Sequence, residues 1–471
     1  MHNSTKEAET KPYKCLSDEP EVTGPIEKIR RISGLKNLYC LPDIHNKSHL
    51  EAPTSIAAEV EDSLVSELVP PSLGCGMGVV LTPFDVSDLS EKKLDDFYKK
   101  IKGEVDYSHE SAIKGFFLWL GIISRPKLEY DFDSGEMRRA AASGARAVLE
   151  KYGLPESTLE HVEFGGRSPG SEILEEQVLD SVIPRSGEIE GGRNIGYGFG
   201  GNHFLEVQYV EKITDEETAR KWGIRKGQVL VSYHGGGGSL PFYIGRYFSN
   251  RKKYSKKENL IRLPVKMIFH FADLGRVSDF PKRWRYYFEK NPFQEISVSG
   301  EEGQRRLASV VAAQNYGYAY RLGMVRRIMD AMEKAFGRGG MSLLWDACHD
   351  SIYPDGKDRR RIIHQNGANR VSSGKPVFIS GTAKTASYLG VGLRSGFCDH
   401  GAGVAEKKAE KENKSVIHPE NFLTYVYDRD RRKKALRHMT GEGLKEVARE
   451  FESAGIIKPV ALLRPVATLK E

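Results

Sequence analysis

One cysteine and four histidines stand beside conspicuous glycine and pocket-forming segments, yet they are spread over more than three hundred positions of the chain. They are Cys75 in Leu73-Gly-Cys-Gly-Met, His203 in Gly-Gly-Asn-His-Phe, His234 before Gly235-Gly-Gly-Gly, His349, and His400 before Gly401-Ala-Gly. No local finger uses ligands so far apart, so if they act together a long-range fold has to deliver them to one place. Glycine-dense backbone at three of the five lets the main chain approach a metal or phosphate closely and present amide N–H groups to an anion.

Thiolate and neutral imidazole are good donors to divalent transition metals, and a thiolate can bridge two ions. Taken singly, each of these residues is more often packed or exposed than a ligand. His400 admits a further role, because a neutral ring nitrogen can attack phosphorus and give a phosphoramidate from which a nucleotidyl group moves onward. The alternative for His400 is a turn histidine with ordinary glycines.

A chain of 471 residues, 39% hydrophobic and 29% charged, can bury a large core, and one dominant globular unit is expected. A net charge of +7 favours anionic partners without specifying nucleic acid. Five widely spaced cysteines are unlike the even framework of a small secreted domain. The first residues carry no apolar signal core, and the longest strongly apolar run, Gly115 to Ile123, is too short to span a bilayer. A cytoplasmic protein that does not engage a membrane is expected.

Along the chain, residues 1 to about 35 read as a polar arm. Gly78-Val-Val-Leu-Thr reads as a buried strand, Glu91 to Lys102 as an amphipathic helix, and Met137 to Tyr152 as a second helix stopped by Gly153. The glycine-rich stretch 160–202 reads as a long irregular loop that shapes a site. Strands then flank two of the histidines: Phe204–Val210 begins after His203, and Val229–Tyr233 ends before His234. Gln304 to Phe336 has the period of a long core helix; Pro376–Ile379 reads as a strand and Gly443–Ser453 as a late helix.

These segments, in their order, resemble the RtcB type of GTP-dependent RNA ligases. The resemblance rests on Leu41-Pro-Asp-Ile-His, Gly74-Cys-Gly-Met, Gly200-Gly-Asn-His-Phe-Leu-Glu, His234-Gly-Gly, Ala312-Ala-Gln-Asn-Tyr, Ala347-Cys-His-Asp, Phe378-Ile-Ser-Gly-Thr with Ala386-Ser-Tyr, His400-Gly-Ala-Gly, and Ala454-Gly-Ile-Ile with Lys470. It implies an α+β fold of mixed β-sheets flanked by helices around a deep metal-containing pocket, occupying residues 36–471. It also implies Mn²⁺, one or two ions, with GTP and RNA ends as partners, and leaves room for an activating protein factor.

By the same resemblance, Cys75, His203, His234 and His349 are metal ligands and His400 accepts GMP. Asn202, Gly401 and Gly403 would lie beside the nucleotide, and Glu206 and Lys470 would contact its guanine. The GMP would pass to an RNA 3′-phosphate, sometimes after opening of a 2′,3′-cyclic phosphate, and a 5′-hydroxyl would displace it. The chain also departs from the family. Ser72 replaces an aspartate in Asp-x-Gly-Cys-Gly-Met, Gly238 and Val404 replace arginines, and Asp350 replaces an asparagine. A hard ion loses an anionic oxygen ligand, and two phosphate-gripping forks are gone.

Arg251-Lys-Lys-Tyr-Ser-Lys-Lys, Lys282-Arg-Trp-Arg-Tyr-Tyr and Arg429-Asp-Arg-Arg-Lys-Lys are candidate RNA contacts, the second because aromatics alternate with charge. Asp43, His45 and His49 are read as pocket lining or support for a ligand, and Cys348 as a buried thiol. Besides an RNA ligase, two classes stay open: an enzyme of the same fold with altered chemistry, such as end-capping, other nucleotidyl transfer or phosphoester hydrolysis, and a non-catalytic RNA-binding accessory protein.

Overall fold

A computed structural model describes residues 20–470 except 72, 106–128, 194, 197–202, 253–255, 273–278, 356–358 and 429–432. Asn202, Ser72, the apolar run 115–123 and Arg429–Arg432 therefore lie outside the described residues.

The architecture is α+β. Its largest sheet has nine strands. Seven run in the order Pro376–Ile379, Ser387–Gly392, Ile457–Leu469, Phe204–Ile213, Gln228–Gly235, Gly76–Asp85 and Ser342–Cys348, each antiparallel to its neighbours. Strand Leu423–Tyr427 adds to Ile457–Leu469 in parallel and carries Lys433–Arg437, so the sheet is mixed. A four-stranded antiparallel sheet follows the order Leu35–His45, Thr54–Glu61, Arg361–Asn366, Asp350–Pro354. A two-stranded ribbon pairs Ala368–Val371 with Gly396–Asp399.

Helix Glu301–Phe336 lies in the core below the large sheet. Its 36 residues extend about 54 Å at 1.5 Å per residue. Because this helix is buried on nearly all sides, its polar side chains have to be satisfied inside the protein. Asn315 donates to the carbonyls of Ala141 and Ala142 at 3.0 Å and accepts from the Ser168 N–H at 2.8 Å. Gln314 donates to Ile352 O at 2.7 Å. Arg321, fully buried, forks onto Asp346 at 2.8–3.1 Å and donates to Gly74 O, which ties the helix to the turn that carries Cys75.

Three readings change. The helix expected over Met137–Tyr152 is two, Ser134–Ser143 and Arg146–Tyr152, because Gly144 takes φ +66° between them. The first is fixed at its start by a reciprocal capping box of Asp133 and Glu136. The stretch 160–202, expected as an irregular loop, contains helices Glu176–Val182 and Arg185–Arg193, the first anchored to the core by buried Leu179 and Val182. Within the stretch read as a polar arm, helix Pro20–Ile29 packs Val22 and Ile29 against the four-stranded sheet.

Candidate active site

Antiparallel neighbours bring opposite chain ends to the same edge of a sheet. Cys75 precedes the strand Gly76–Asp85, His203 precedes Phe204–Ile213, His234 lies at the end of Gln228–Gly235, and His349 follows Ser342–Cys348. These four strands are consecutive in the large sheet and alternate in direction, so all four side chains emerge at one edge. The register sets them level: His234 pairs with both Met77 and Phe204, and Gly76 pairs with Cys348.

Cys75 Sγ lies 3.4 Å from His203 Nε2 and 3.3 Å from His234 Nε2, and His234 Nε2 lies 3.2 Å from His349 Nε2. The ligand atoms of Cys75, His234 and His349 all fall within 4.8 Å of one another, the one such group among the described residues. Close approach explains part of the glycine run after His234: a Cβ on Gly236 would stand 2.7 Å from His203 Cε1.

His400 reaches this edge from a different element, the ribbon strand Gly396–Asp399. Its ring centroid is 4.5 Å from that of His349 and 5.8 Å from that of His234. His400 Nδ1 is 2.9 Å from Gly367 O. A carbonyl only accepts, so Nδ1 carries the proton and Nε2 keeps its lone pair. Gly367 holds that carbonyl in place at φ +66°, and its own N–H donates to Asp350 Oδ1 at 2.8 Å.

Burial sets the ionisation of the cluster. It holds His203 and His400 down at about 4, and His349 well below the usual histidine range. These rings are therefore neutral near pH 7, as a ligand or nucleophile requires. Burial, reinforced by the nearby Asp350 carboxylate, pushes the Cys75 thiol well above its ordinary value. Such a thiol ionises when a cation shares the site. His349 Nδ1 is buried with no hydrogen-bond partner among the described residues. Thiol, imidazole geometry and an orphaned ring nitrogen together fit a divalent transition ion.

A cavity of about 290 Å³ opens beside His234 and His400 and is walled by Gly401, Gly403, Val404, Glu206 and Lys470. Glu206 lies on its wall, paired across strands with Thr468; it accepts from Gln208 at 2.6 Å, and burial pushes it up to about 8. Lys470 lies near enough to oppose that shift. A larger cleft, about 610 Å³, runs along the outer side of strand Ser342–Cys348 but contains none of the five cysteine and histidine residues.

The same cavity is lined by residues not singled out as catalytic in the sequence. Lys47 and Lys407 supply cationic walls, and Ser380 N donates to His400 O at 3.1 Å. Asp43 accepts from Ala405 N at 2.6 Å and Val404 N at 3.5 Å, so it caps helix Gly403–Lys411 behind His400. Asp43 and His45 border the cavity, and His49 does not. Cys348 is buried, and burial pushes its thiol up to about 12. The signals for Gly367 and Lys47 were the Asn366-Gly367 turn dipeptide and the closeness of Lys47 to His45.

Of the basic segments, Arg251 is buried against Glu51 at 2.8 Å, and residues 253–255 lie outside the described residues. In the second segment Arg283 pairs with Glu302, Tyr287 is buried on the same carboxylate, and Trp284 stacks on Phe288 with centroids 4.9 Å apart. The alternation of charge and aromatics there serves packing as well as surface. No helix among the described residues is long and apolar enough to cross a membrane.

The chain is 26% identical over 486 residues to the tRNA-splicing ligase RtcB of Thermococcus kodakarensis, covering 94% of this chain and 90% of that protein. It is 25% identical over 474 residues to that of Archaeoglobus fulgidus, covering 91% and 86%. The protein of Pyrococcus abyssi bearing the same name matches at 27% over 431 residues, covering 84% of this chain but 42% of its own length, so the chain spans less than half of that relative. The family model described as tRNA-splicing ligase RtcB matches residues 26–471, and the chain belongs to that family.

Proposed function

We propose that the protein is an RNA ligase that joins 3′-phosphate or 2′,3′-cyclic phosphate ends to 5′-hydroxyl ends through a guanylylated His400, using GTP and Mn²⁺. The observation that carries this reading is the orientation of His400, whose Nδ1 is committed to Gly367 O so that Nε2 keeps its lone pair, at a cavity that His400 lines together with His234 of the cysteine–histidine cluster. Nε2 attacks the α-phosphorus of GTP; the P–N bond forms as the bond to the β-phosphate oxygen breaks, and pyrophosphate leaves.

An RNA 3′-phosphate oxygen then takes the GMP from His400, and a 5′-hydroxyl attacks the RNA phosphorus with GMP as leaving group. Cys75, His203, His234 and His349 would hold the metal, which when bound neutralises phosphate charge beside the nucleophile. Glu206 would accept from the guanine N–H edge and Lys470 donate to its carbonyl, with Asn202 near the phosphates. Lys47 and Lys407 offer ammonium donors to the triphosphate.

A second reading, nucleotidyl transfer without ligation, is favoured by one observation: the cavity wall carries Val404 where the family carries arginine. Incubation with labelled GTP and Mn²⁺, followed by denaturing electrophoresis, tests both. A protein-bound label lost in His400→Ala, together with joined RNA, supports the ligase. Label without joined RNA supports the second reading, and no adduct under varied metals leaves an RNA-binding accessory role.

A further inference from the structure

We infer that Asp350 is a metal ligand, supplying the anionic oxygen donor for a second cation position on the His349 side of the centre. The inference rests on the reading of this pocket as a metal centre.

Asp350 is held where such a ligand has to be. Its N–H and that of His349 both point to Cys75 O, at 3.3 and 2.9 Å, and its carbonyl accepts from Gly74 N at 2.9 Å. The backbone of residue 350 is thus strapped to both sides of the Cys75 turn. Its two carboxylate oxygens then have different fates. Oδ1 accepts the Gly367 N–H at 2.8 Å. Oδ2 stands 3.8 Å from His349 Nε2 and has no hydrogen-bond donor among the described residues.

Two donors about 2.1 Å from one ion are separated by no more than about 4.2 Å, so Oδ2 and His349 Nε2 can share a cation. The carboxylate does not enter the 4.8 Å circle of Cys75, His234 and His349. A ring nitrogen has one lone pair, so His349 Nε2 serves one ion: with Asp350 Oδ2 it holds one position, and Cys75 with His203 and His234, whose Nε2 atoms lie 3.4 and 3.3 Å from the thiol, holds the other. Cys75 Sγ lies within 4.8 Å of the donor atoms of both His234 and His349, so its thiolate can reach both positions.

Energetics point the same way. Asp350 is 7% exposed, and a carboxylate so enclosed is disfavoured unless a proton or cation answers it. Lys47 is close enough to act on it electrostatically, but no hydrogen bond joins the two. Chemistry adds a reason for an oxygen donor at this place. Thiolate and imidazole alone suit softer ions such as Zn²⁺, whereas a carboxylate adds affinity for a hard ion such as Mn²⁺. The sequence difference at Ser72 and Asp350 then conserves one carboxylate at the centre while changing the residue that bears it.

The test is metal binding by the full chain, followed by titration calorimetry and Mn²⁺ paramagnetic resonance, with Asp350→Asn. Asparagine keeps an oxygen for the Gly367 N–H and removes the charge, and the thermal unfolding of the metal-free variant checks its fold. Wild type is expected to bind two Mn²⁺, and D350N to retain one and bind the other roughly tenfold or more weakly. The loss is expected to be larger for Mn²⁺ than for Cd²⁺, a signature that a purely structural role would not give.

Equal binding of both ions by wild type and D350N overturns the inference, as does an equal loss for the two metals or a single wild-type ion unaffected by the change. The His400–GMP adduct is read separately. An adduct in wild type with D350N binding unchanged leaves the ligase reading standing and removes this one; an ion lost in D350N without any adduct in wild type does the reverse.

Discussion

Gly367 joins His400 to Asp350, its carbonyl on one and its N–H on the other, and replacing it with alanine should uncouple them. Its φ is +66°, and a Cβ there would stand 2.5 Å from Thr54 Cγ2 and 3.3 Å from His400 Cε1. The left-handed backbone alone costs alanine about 1 kcal/mol, and forced packing of the methyl about 2 kcal/mol more. The loop cannot relieve the clash without moving the carbonyl that fixes His400 Nδ1 and the N–H that binds Asp350. Displacement of a reacting atom by about 1 Å is worth roughly a hundredfold in rate. Gly374 supplies the control: its φ is +74°, but nothing lies within 4 Å of its Cβ position. Urea unfolding and single-turnover GMP transfer should show G367A losing about 3 kcal/mol and roughly two decades of rate, against about 1 kcal/mol and no rate change for G374A. If the two variants behave alike in both measurements, Gly367 does not orient His400.

Without ligand, Glu206→Gln should gain stability over wild type as pH rises. Glu206 has a folded pKa of about 8, raised by burial from 4.5. Its contribution is therefore full below 4.5 and lost as pH climbs towards 8, so the difference should grow by up to about 1.4 kcal/mol per pH unit in that window; a flat difference refutes it. Metal binding near pH 8 should release close to one proton per bound thiolate, because burial keeps the Cys75 thiol protonated; calorimetry in buffers of different ionisation enthalpy counts it, and zero release would contradict the thiol-to-thiolate step. Arg321→Met leaves Asp346 buried and uncompensated and should cost about 3–5 kcal/mol in denaturant unfolding; a cost under about 1 kcal/mol would show that the pair does not anchor the Cys75 turn. Lys47→Ala and Lys407→Ala should each raise the KM for GTP roughly tenfold with a smaller change in kcat, the loss of one charge-assisted phosphate contact; an unchanged KM excludes them from the triphosphate.

The strand ends of the site were readable because short runs rich in β-branched and aromatic residues flank His203 and His234, and such runs favour strands. What joins them was not readable. Register between Gly76 and Gly235, or between Gly76 and Cys348, is a property of pairing partners more than a hundred residues apart, and no local pattern encodes it. Ile457–Leu469, a strand near the middle of the large sheet, escaped notice because Pro459 and Pro465 and its near-continuous apolar character hide alternation. The helices inside 160–202 were obscured by glycines at 187, 191 and 192, which suggest loop but here allow close packing against Leu240, Tyr316 and Phe132. Capping by Asp43 across to Val404 and Ala405 joins positions 361 and 362 residues apart, so its role followed only from the fold.

The site is assembled where the large sheet meets the ribbon and the four-stranded sheet, and that division decides which positions can change side chain without moving the frame. Cys75, His203, His234 and His349 leave one edge of the nine-stranded sheet, whereas His400 comes from the ribbon, and the step from Cys348 through His349 into Asp350 carries the chain from the large sheet into the four-stranded one. Residues whose backbone makes that junction, Gly74, His349, Asp350, Gly367 and Ser380, each hold a main-chain hydrogen bond to another part of it. A change there that removed the bond would move donor and nucleophile together. Val404 differs in kind: its N–H belongs to Asp43 whatever its side chain, and that side chain faces the cavity, so it can vary without disturbing the frame. Gly238 does not offer the same freedom, because φ is +70° and Tyr320 ring carbon atoms stand 2.8–2.9 Å from its Cβ position. An arginine at 238 would have to displace Tyr320 and adopt a strained backbone, so packing against the long helix excludes it there, whereas at 404 a larger side chain would meet only the cavity wall.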